Sequence, residues 1–334
     1  MNGKRWGALG IAAGLFVVSL IVSSALFFKN QEDMLSEAFI GNTEFTEEVI
    51  EEGSPQNKIL VLTVNGVIQD TGEDVASFFS TAGYKHQTFL DMIDAASDDP
   101  TVKGVIVRVN SPGGGVVESA EIHKKLTELK EKSEKPVYIS MGTTAASGGY
   151  YIATAADKIY AAPDTLTGSL GVIMQSVNYS ELAEEYGVKF ETIKSGPYKD
   201  IFSPTREMTE EERKILQSMV DNAYQGFVKV ITDGRPLSEE DVLKVADGRI
   251  YDGRQAKEIN LVDELGYFDD TVAAMKEELD LSNARVIQYS TSMGFDQFLN
   301  MGASKVFKQD TELASLYHLL GQPNSPRLMY LYSE

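Results

Sequence analysis

The residues best suited to covalent chemistry lie in the run Thr143-Thr144-Ala145-Ala146-Ser147-Gly148-Gly149-Tyr150-Tyr151-Ile152-Ala153. An apolar, β-favouring segment, Pro136 to Met141, precedes it, and Tyr150 to Ala156 can pack as a helix. Strand, tight small-residue turn, helix is the order that sets a serine at an exposed, strained corner. Gly148 and Gly149 let a substrate backbone approach closely, and the peptide N–H groups at the helix start face negative charge. The same residues also suit a plain packing turn, and Ala145 stands where a G-x-S-x-G elbow has its first glycine. The surrounding chain has to decide between the two.

A serine nucleophile needs a group to take its proton. The three histidines, His86, His123 and His318, are widely separated and none falls on a strand end or loop near a glycine motif. His86 is expected near an exposed helix start, and His123 inside a helix, packed or facing solvent. A lysine can serve if burial brings its pKa down by about 3 units from about 10.4, roughly 4 kcal/mol against the charged form. Lys199 follows a predicted buried strand, Val188 to Ile193, and is flanked by Pro197 and Tyr198; Lys194 on the same stretch is the alternative. Either also reads as an ordinary surface lysine.

A second glycine element lies upstream, where the apolar run Val102 to Asn110 leads into Ser111-Pro112-Gly113-Gly114-Gly115 and a helix bearing Ile122, Leu126 and Leu129. Strand, glycine loop, helix presents free backbone N–H groups to an anion. No G-x-G-x-x-G or G-x-x-x-x-G-K-[ST] phosphate pattern is present. The oxyanion of an acyl-transfer intermediate is the other candidate.

These loops need a frame, and the patterning supplies one. Ile59 to Val64 and Lys158 to Ala161 read as buried strands, and Ala284 to Tyr289 as a further strand. Helices are predicted over His86–Ser97, Tyr179–Tyr186, Leu237–Ala246 and Asp269–Leu279. A long one reaches about Asp233 after the capping signal Thr209-Glu210-Glu211-Glu212. Alternating strands and helices of this length imply an α/β core of right-handed units.

Composition narrows the classes. With 334 residues, 30 basic against 50 acidic, and a net charge of −20, the chain is a poor nucleic-acid partner. It has no cysteine, which excludes thiol catalysis and disulfides, and its histidines form no metal-binding pair. Lys4 and Arg5 precede an apolar run from Trp6 to Phe28, long enough at ~1.5 Å per residue to cross a ~30 Å hydrocarbon core. Ser23-Ser24-Ala25 resembles a signal-peptidase site, but a cleaved signal has an apolar region of only about 7–15 residues. The reading is an uncleaved anchor with its N-terminus inside and the rest of the chain outside the cytoplasm. From Gln31 to Pro55 there are acids but no Lys or Arg, as in a solvated linker.

Four elements in order carry a resemblance: Ser111-Pro112-Gly113-Gly114; Ala145-Ala146-Ser147-Gly148-Gly149-Tyr150-Tyr151; Gly168-Ser169-Leu170-Gly171-Val172; and Lys194-Ser195-Gly196-x-Tyr198-Lys199. Each is weak alone, but together, over roughly Lys58 to Tyr289, they resemble the signal peptide peptidase A family. The anchor resembles that of its short bacterial members. The resemblance implies an α/β, Clp-protease/crotonase-like fold of repeated ββα units behind one N-terminal transmembrane helix. It implies a Ser–Lys dyad endopeptidase acting on signal-peptide remnants and other membrane-associated peptides, with Ser147 as nucleophile and Lys199 as base. Lys194 matches the leading lysine of the motif, which is not the base. By the same similarity Ser169 is a candidate to orient the lysine, and Gly114 and Gly148 are candidate oxyanion donors. No cofactor is implied, and rings of subunits that complete one another's dyads imply a homo-oligomer.

The resulting division is residues 1–5 cytoplasmic, 6–28 anchor, 29–55 acidic linker, 56–295 extracytoplasmic peptidase domain, and 296–334 a C-terminal helix and extended tail. Two other classes fit parts of the pattern: a crotonase-type acyl-CoA enzyme, whose glycine loop also holds an oxyanion, and a non-catalytic membrane scaffold. The tail is itself informative. Pro323 and Pro326 break any helix, yet Leu328 to Tyr332 is continuously apolar. It reads either as a segment tucked onto its own domain or as an arm that mimics an apolar substrate.

Overall fold

Five of the six residues from Ile59 to Val64 are buried, as a parallel strand covered on both faces requires. The computed structural model describes residues 45–70, 84–290 and 328–332. The predicted anchor, most of the linker and most of the C-terminal region lie outside the described residues. The described part of the linker is corrected: Thr46–Glu51 is a strand and Ser54 already begins another, because both join the main sheet. Two compact units are present. One comprises residues 1–46 and 290–293, described only at Phe45, Thr46 and Ser290; the other comprises 47–289 and 294–334. Among the described residues no helix is long and apolar enough to cross a membrane.

The strands are β1 (Thr46–Glu51), β2 (Ser54–Asn65), β3 (Val102–Ser111), β4 (Gly113–Gly115), β5 (Val137–Ala146), β6 (Lys158–Ala161), β7 (Leu166–Gly168), β8 (Ile250–Tyr251), β9 (Glu264–Leu265), β10 (Ala284–Ser290) and β11 (Met329–Leu331). The helices are α1 (His86–Asp98), α2 (Val116–Ser133), α3 (Gly148–Ala153), α4 (Ser180–Glu185), α5 (Glu210–Gly234), α6 (Glu239–Val245), α7 (Gly253–Glu258) and α8 (Phe268–Glu278). The main sheet runs β1-β10-β2-β3-β5-β6-β9, with β7 and β8 continuing from the far end of β5. From β10 to β9 every adjacent pair is parallel, which defines an α/β fold with crossover helices.

Each face has its own core. Leu60, Leu62, Val105, Val107, Val109 and Ile139 belong to the cluster that also holds Leu90 and Ile93 of α1 and Ile122 and Leu126 of α2. Ile59, Val61, Ile106 and Tyr138 pack with Val272 and Met275 of α8 on the other side. In α2 the buried Ser119, Ile122, Leu126 and Leu129 recur at helical spacing. Each fully buried leucine stabilises the fold by about 1.5–3 kcal/mol. The capping signal is realised at α5, where Thr209 Oγ1 accepts from Glu212 N and Glu212 returns a carboxylate to Thr209 N.

Three further expectations need correction. His86 is buried, because the first residue of α1 faces α2: its Nδ1 bonds Tyr84 Oη at 2.6 Å and its Nε2 bonds Glu121 Oε2 at 2.8 Å. The segment Val188 to Ile193 is not a strand, and its residues are exposed in the protomer. No described strand lies beside it to complete a ladder. The glycine loop Gly113–Gly115 is itself a short buried strand.

His123 meets Tyr151 edge-on, ring centroids 5.5 Å apart, and burial pushes its imidazole down to about 4. The unfolded chain takes up this proton below about 6.5, so the stability it confers is complete above that pH and is lost as pH falls toward 4. Melting temperature is expected to decline over this window and to decline less in His123→Gln. Parallel profiles for the two proteins would remove His123 from the account.

Candidate active site

Parallel β5 ends in Ala145 and Ala146, both without solvent exposure, and the chain then turns sharply. Ser147 has φ 53° and ψ −115°, a conformation that costs a non-glycine residue on the order of 1–3 kcal/mol and that surrounding structure must enforce. Two backbone bonds enforce it. Ser147 N donates to Gly168 O at 2.8 Å, and Tyr151 N donates to Ser147 O at 2.8 Å, opening α3. Gly168, at φ +83°, closes β7, which pairs with the last three residues of β5.

The corner is strained as expected but not exposed: with β4 packed against the start of α3, Ser147 is almost wholly buried, and its Oγ has no hydrogen-bond partner among the described residues. An unbonded buried hydroxyl costs about 1–3 kcal/mol, so the corner is held against two penalties.

Gly114 and Gly148 come together as the sequence suggests. A Cβ on Gly148 would lie 2.6 Å from Ser119 Oγ, 3.1 Å from Gly113 Cα and 3.1 Å from Gly114 N. The two candidate donors therefore adjoin, and no side chain fits between them. Gly148→Ala is expected to lower kcat by about 100-fold through displacement of these amides, with the protein still folded. Wild-type kcat in a folded Gly148→Ala protein would remove the pair from the site. Ser169 also reaches the region: it has φ 50°, is nearly buried, and its N–H donates to Arg249 O at 2.7 Å.

Lys199 is not brought to Ser147 within the protomer. It lies exposed on the arm between β7 and α5, its N–H closing a turn on Gly196 O at 3.3 Å. Lys194 is engaged with Asp200 Oδ1 at 2.6 Å and Pro197 O at 3.0 Å.

The main feature that sequence reasoning could not place is the partner of the glycine strand. β11 runs antiparallel to β4, with Met329 opposite Gly115, Tyr330 opposite Gly114 and Leu331 opposite Gly113. On its other side Met329 exchanges both backbone bonds with Ile173, at 3.0 and 3.1 Å. An extended segment thus lies between two backbone edges beside Ser147. A Cβ on Gly113 would meet Tyr330 O at 2.0 Å and Gly148 N at 2.6 Å, so that carbonyl and that amide share one small space.

The Tyr330 side chain fills a pocket formed by α3 and α5. It stacks on Tyr151 at 4.9 Å, tilts against Phe227 at 4.6 Å, and donates its hydroxyl to Ala223 O at 3.0 Å. Past Leu331 the groove opens into a cavity of about 360 Å³ reached by Ser169, Val172, Val220, Tyr224 and Gly248. The sequence suggests an extended, apolar segment that either tucks onto its domain or mimics a substrate, but not its register on Gly113–Gly115. Among the described residues no cluster of His, Cys, Asp and Glu could hold a metal ion.

A serine on a strained strand-to-helix corner, beside adjoining glycine amides and a groove that holds an extended peptide, belongs to a serine hydrolase built on a parallel α/β sheet. The model for peptidase family S49 matches residues 129–282. An Enterococcus faecium protein provisionally named signal peptide peptidase SppA is 43% identical over 99% of this chain and 99% of its own length. Protease 4 of Salmonella typhi is 37% identical over 66% of this chain and 34% of that one. A ClpP1 mutant from Listeria monocytogenes aligns with a TM-score of 0.38 at 16% identity, covering 63% of this chain and 92% of that one. The chain belongs to peptidase family S49 and is a serine peptidase of the signal peptide peptidase A type.

Proposed function

We propose that the protein is a membrane-anchored endopeptidase that degrades cleaved signal peptides and other membrane-associated peptides with a Ser147–Lys199 dyad. The observation that carries this reading is the buried, unbonded Ser147 Oγ at a positive-φ corner next to an occupied peptide groove. Neutral Lys199 takes the Ser147 proton as Oγ bonds to the scissile carbonyl carbon. The N–H groups of Gly114 and Gly148 hold the oxyanion, and the lysine returns its proton to the leaving amine. Water, deprotonated by the same lysine, then hydrolyses the acyl-enzyme and frees the serine. Ser169, beside the corner, orients the amine. No cofactor enters, and the fold is the Clp-protease/crotonase-like one with residues 6–28 as its anchor and the peptidase domain outside the cytoplasm.

The exposed position of Lys199, apart from Ser147 in the protomer, supports a dyad completed between subunits of an oligomer. The arm that bears it exposes Val177, Leu182, Tyr186, Val188, Phe190 and Ile193. An apolar surface of this extent on one segment calls for a cover. A neighbouring copy of the chain supplies it, and the arm in turn brings Lys199 to that neighbour's Ser147, most simply in a ring.

A fluorophosphonate probe tests the reading. It should label the wild-type protein at Ser147, label Lys199→Ala far more slowly, and leave Ser147→Ala unlabelled. Absence of label on folded wild type would favour a scaffold. Hydration or isomerisation of an acyl-CoA without peptide cleavage would favour the crotonase alternative.

A further inference from the structure

The loop that carries Lys199 is tied to the start of helix α5 by two side chains, Tyr198 through a hydrogen bond to Glu211 and, more extensively, Arg206. Arg206 donates Nε to Asp200 Oδ2 at 2.8 Å and Nη2 to Asp200 Oδ1 at 2.7 Å, a two-pronged fork on one carboxylate. The same Nη2 reaches the Asp200 carbonyl at 3.1 Å. On its opposite edge Arg206 donates Nη1 to Glu212 Oε2 at 2.9 Å and to Glu207 O at 2.9 Å, and Nη2 to Glu212 Oε1. Lys194 completes the set on Asp200 Oδ1. Asp200 is thereby held by backbone and side chain together, and it is the residue bonded to Lys199.

The other end of the clasp is anchored as well. Glu212 is buried and closes the capping box of α5 with Thr209. Further along α5, Ala223 and Phe227 form the pocket that holds Tyr330. Gly234 then packs so closely on α3 that a Cβ there would lie 2.1 Å from Thr154 O. One helix therefore carries the lysine loop at its start, the side-chain pocket in its middle and the back of a serine helix at its end.

We propose that Arg206, clasped between Asp200 and Glu212, is a positioning residue that fixes the 194–200 loop on α5 and so sets where the Lys199 amine is delivered. This rests on Lys199 being the base. A lysine at 206 offers one point charge where the fork needs a planar, two-pronged donor, so Arg206→Lys should be only partly functional.

The charge state of the clasp does not complicate the test. Hydrogen bonds from Arg206 hold Glu212 down to about 2 and Asp200 below the usual carboxylate range. The stability they confer is present above the ordinary carboxylate pKa and is lost only as pH falls through those low values. Between pH 5 and pH 10 neither carboxyl changes charge, so a rate limb moving within that window is not titration of the clasp.

The experiment uses full-length protein carrying Arg206→Met or Arg206→Lys, with active sites counted by fluorophosphonate and melting temperature recorded. Arg206→Met should lower kcat on a short peptide by about 100-fold, the scale of a misplaced catalytic group, with KM little changed and the alkaline rate limb displaced. Asp200→Asn should reproduce much of the loss, and the double variant should be scarcely worse than Arg206→Met, because both act through one clasp.

Mixed oligomers give the sharpest readout. Arg206→Met subunits have a sound Ser147 and a misplaced lysine, so Ser147→Ala subunits should restore activity to them and Lys199→Ala subunits should not. The opposite pattern, or a loss accounted for by fewer folded active sites with an unchanged pH profile, would overturn the proposal. Full activity of Lys199→Ala would instead overturn the base assignment, which separates the two failures. If Ser147→Ala and Lys199→Ala subunits do not rescue each other, the dyad lies within one subunit. The kcat loss, the pH limb and the double variant then decide.

Discussion

Ser147→Ala and Lys199→Ala should each abolish measurable peptide turnover, and mixing the two inactive proteins should restore part of it. Loss of a nucleophile or its base in a serine peptidase costs on the order of 10⁴–10⁶-fold in kcat, so either variant alone falls to background. Rescue follows from where the structure puts the two residues: Ser147 buried at the end of β5, Lys199 exposed on an arm with unburied apolar side chains. In a mixed ring, an interface that joins the Ser147 of a Lys199→Ala subunit to the Lys199 of a Ser147→Ala subunit is intact. Random assembly leaves about a quarter of interfaces in that state, and the recovered rate should approach that share if exchange is complete and sites act independently. Lys194→Ala should keep most of its activity. No recovery in oligomers shown to be mixed would place both groups in one subunit, and wild-type turnover by Lys199→Ala would remove it as the base.

The parts of this site that were legible in the sequence are those whose signals are local. Pro136 to Ala156 spells strand, small turn and helix in consecutive residues, so the Ser147 corner could be read despite Ala145 in place of a glycine. Thr209 and Glu212 stand three apart, the spacing that a capping box needs. The two glycine elements that stood out in the sequence pack against each other beside the serine, although Gly113–Gly115 proved to be a strand. A run of three glycines carries no side-chain period from which a strand could be inferred.

What failed depended on pairing partners remote in sequence. Val188 to Ile193 has a strand's composition, but a strand exists only where another edge lies within bonding distance, and in the protomer none of the described strands reaches it. His86 sits at a helix start, where exposure is the common outcome. Its burial is decided by Tyr84 and by Glu121 from a different helix. The register of β11 on β4 joins residue 330 to residue 114, and nothing in either segment alone specifies the other.

Deletion from Ser325 onward should raise kcat/KM on short peptides by about tenfold. Tyr330 is buried, stacked on Tyr151 and Phe227, and hydrogen-bonded to Ala223. Burial of such a ring contributes roughly 2–3 kcal/mol, and each aromatic pair adds about 0.5–1.5. Strand bonds on both sides bring the total to the order of 5–6 kcal/mol, equivalent to a Kd near 0.1 mM for the detached segment. A tethered arm presents itself at about millimolar effective concentration, so roughly nine grooves in ten are blocked at any moment. Tyr330→Gly should recover most of the gain, since it removes the anchor and leaves the tail attached. The arm also runs along the glycine strand that the proposed mechanism makes part of the oxyanion site. On the proposed mechanism, the Tyr330 carbonyl and Gly148 N bordering one small space predict a scissile bond between Tyr330 and Leu331. Intact mass of the wild type should therefore show loss of Leu331 through Glu334 on incubation, whereas Ser147→Ala should keep its full mass. A truncated protein with unchanged kcat/KM, and equal masses for the two proteins, would reduce β11 to a strand that seals the glycine edge. A raised rate without clipping would instead make the arm an inhibitor held out of register with the Ser147 hydroxyl.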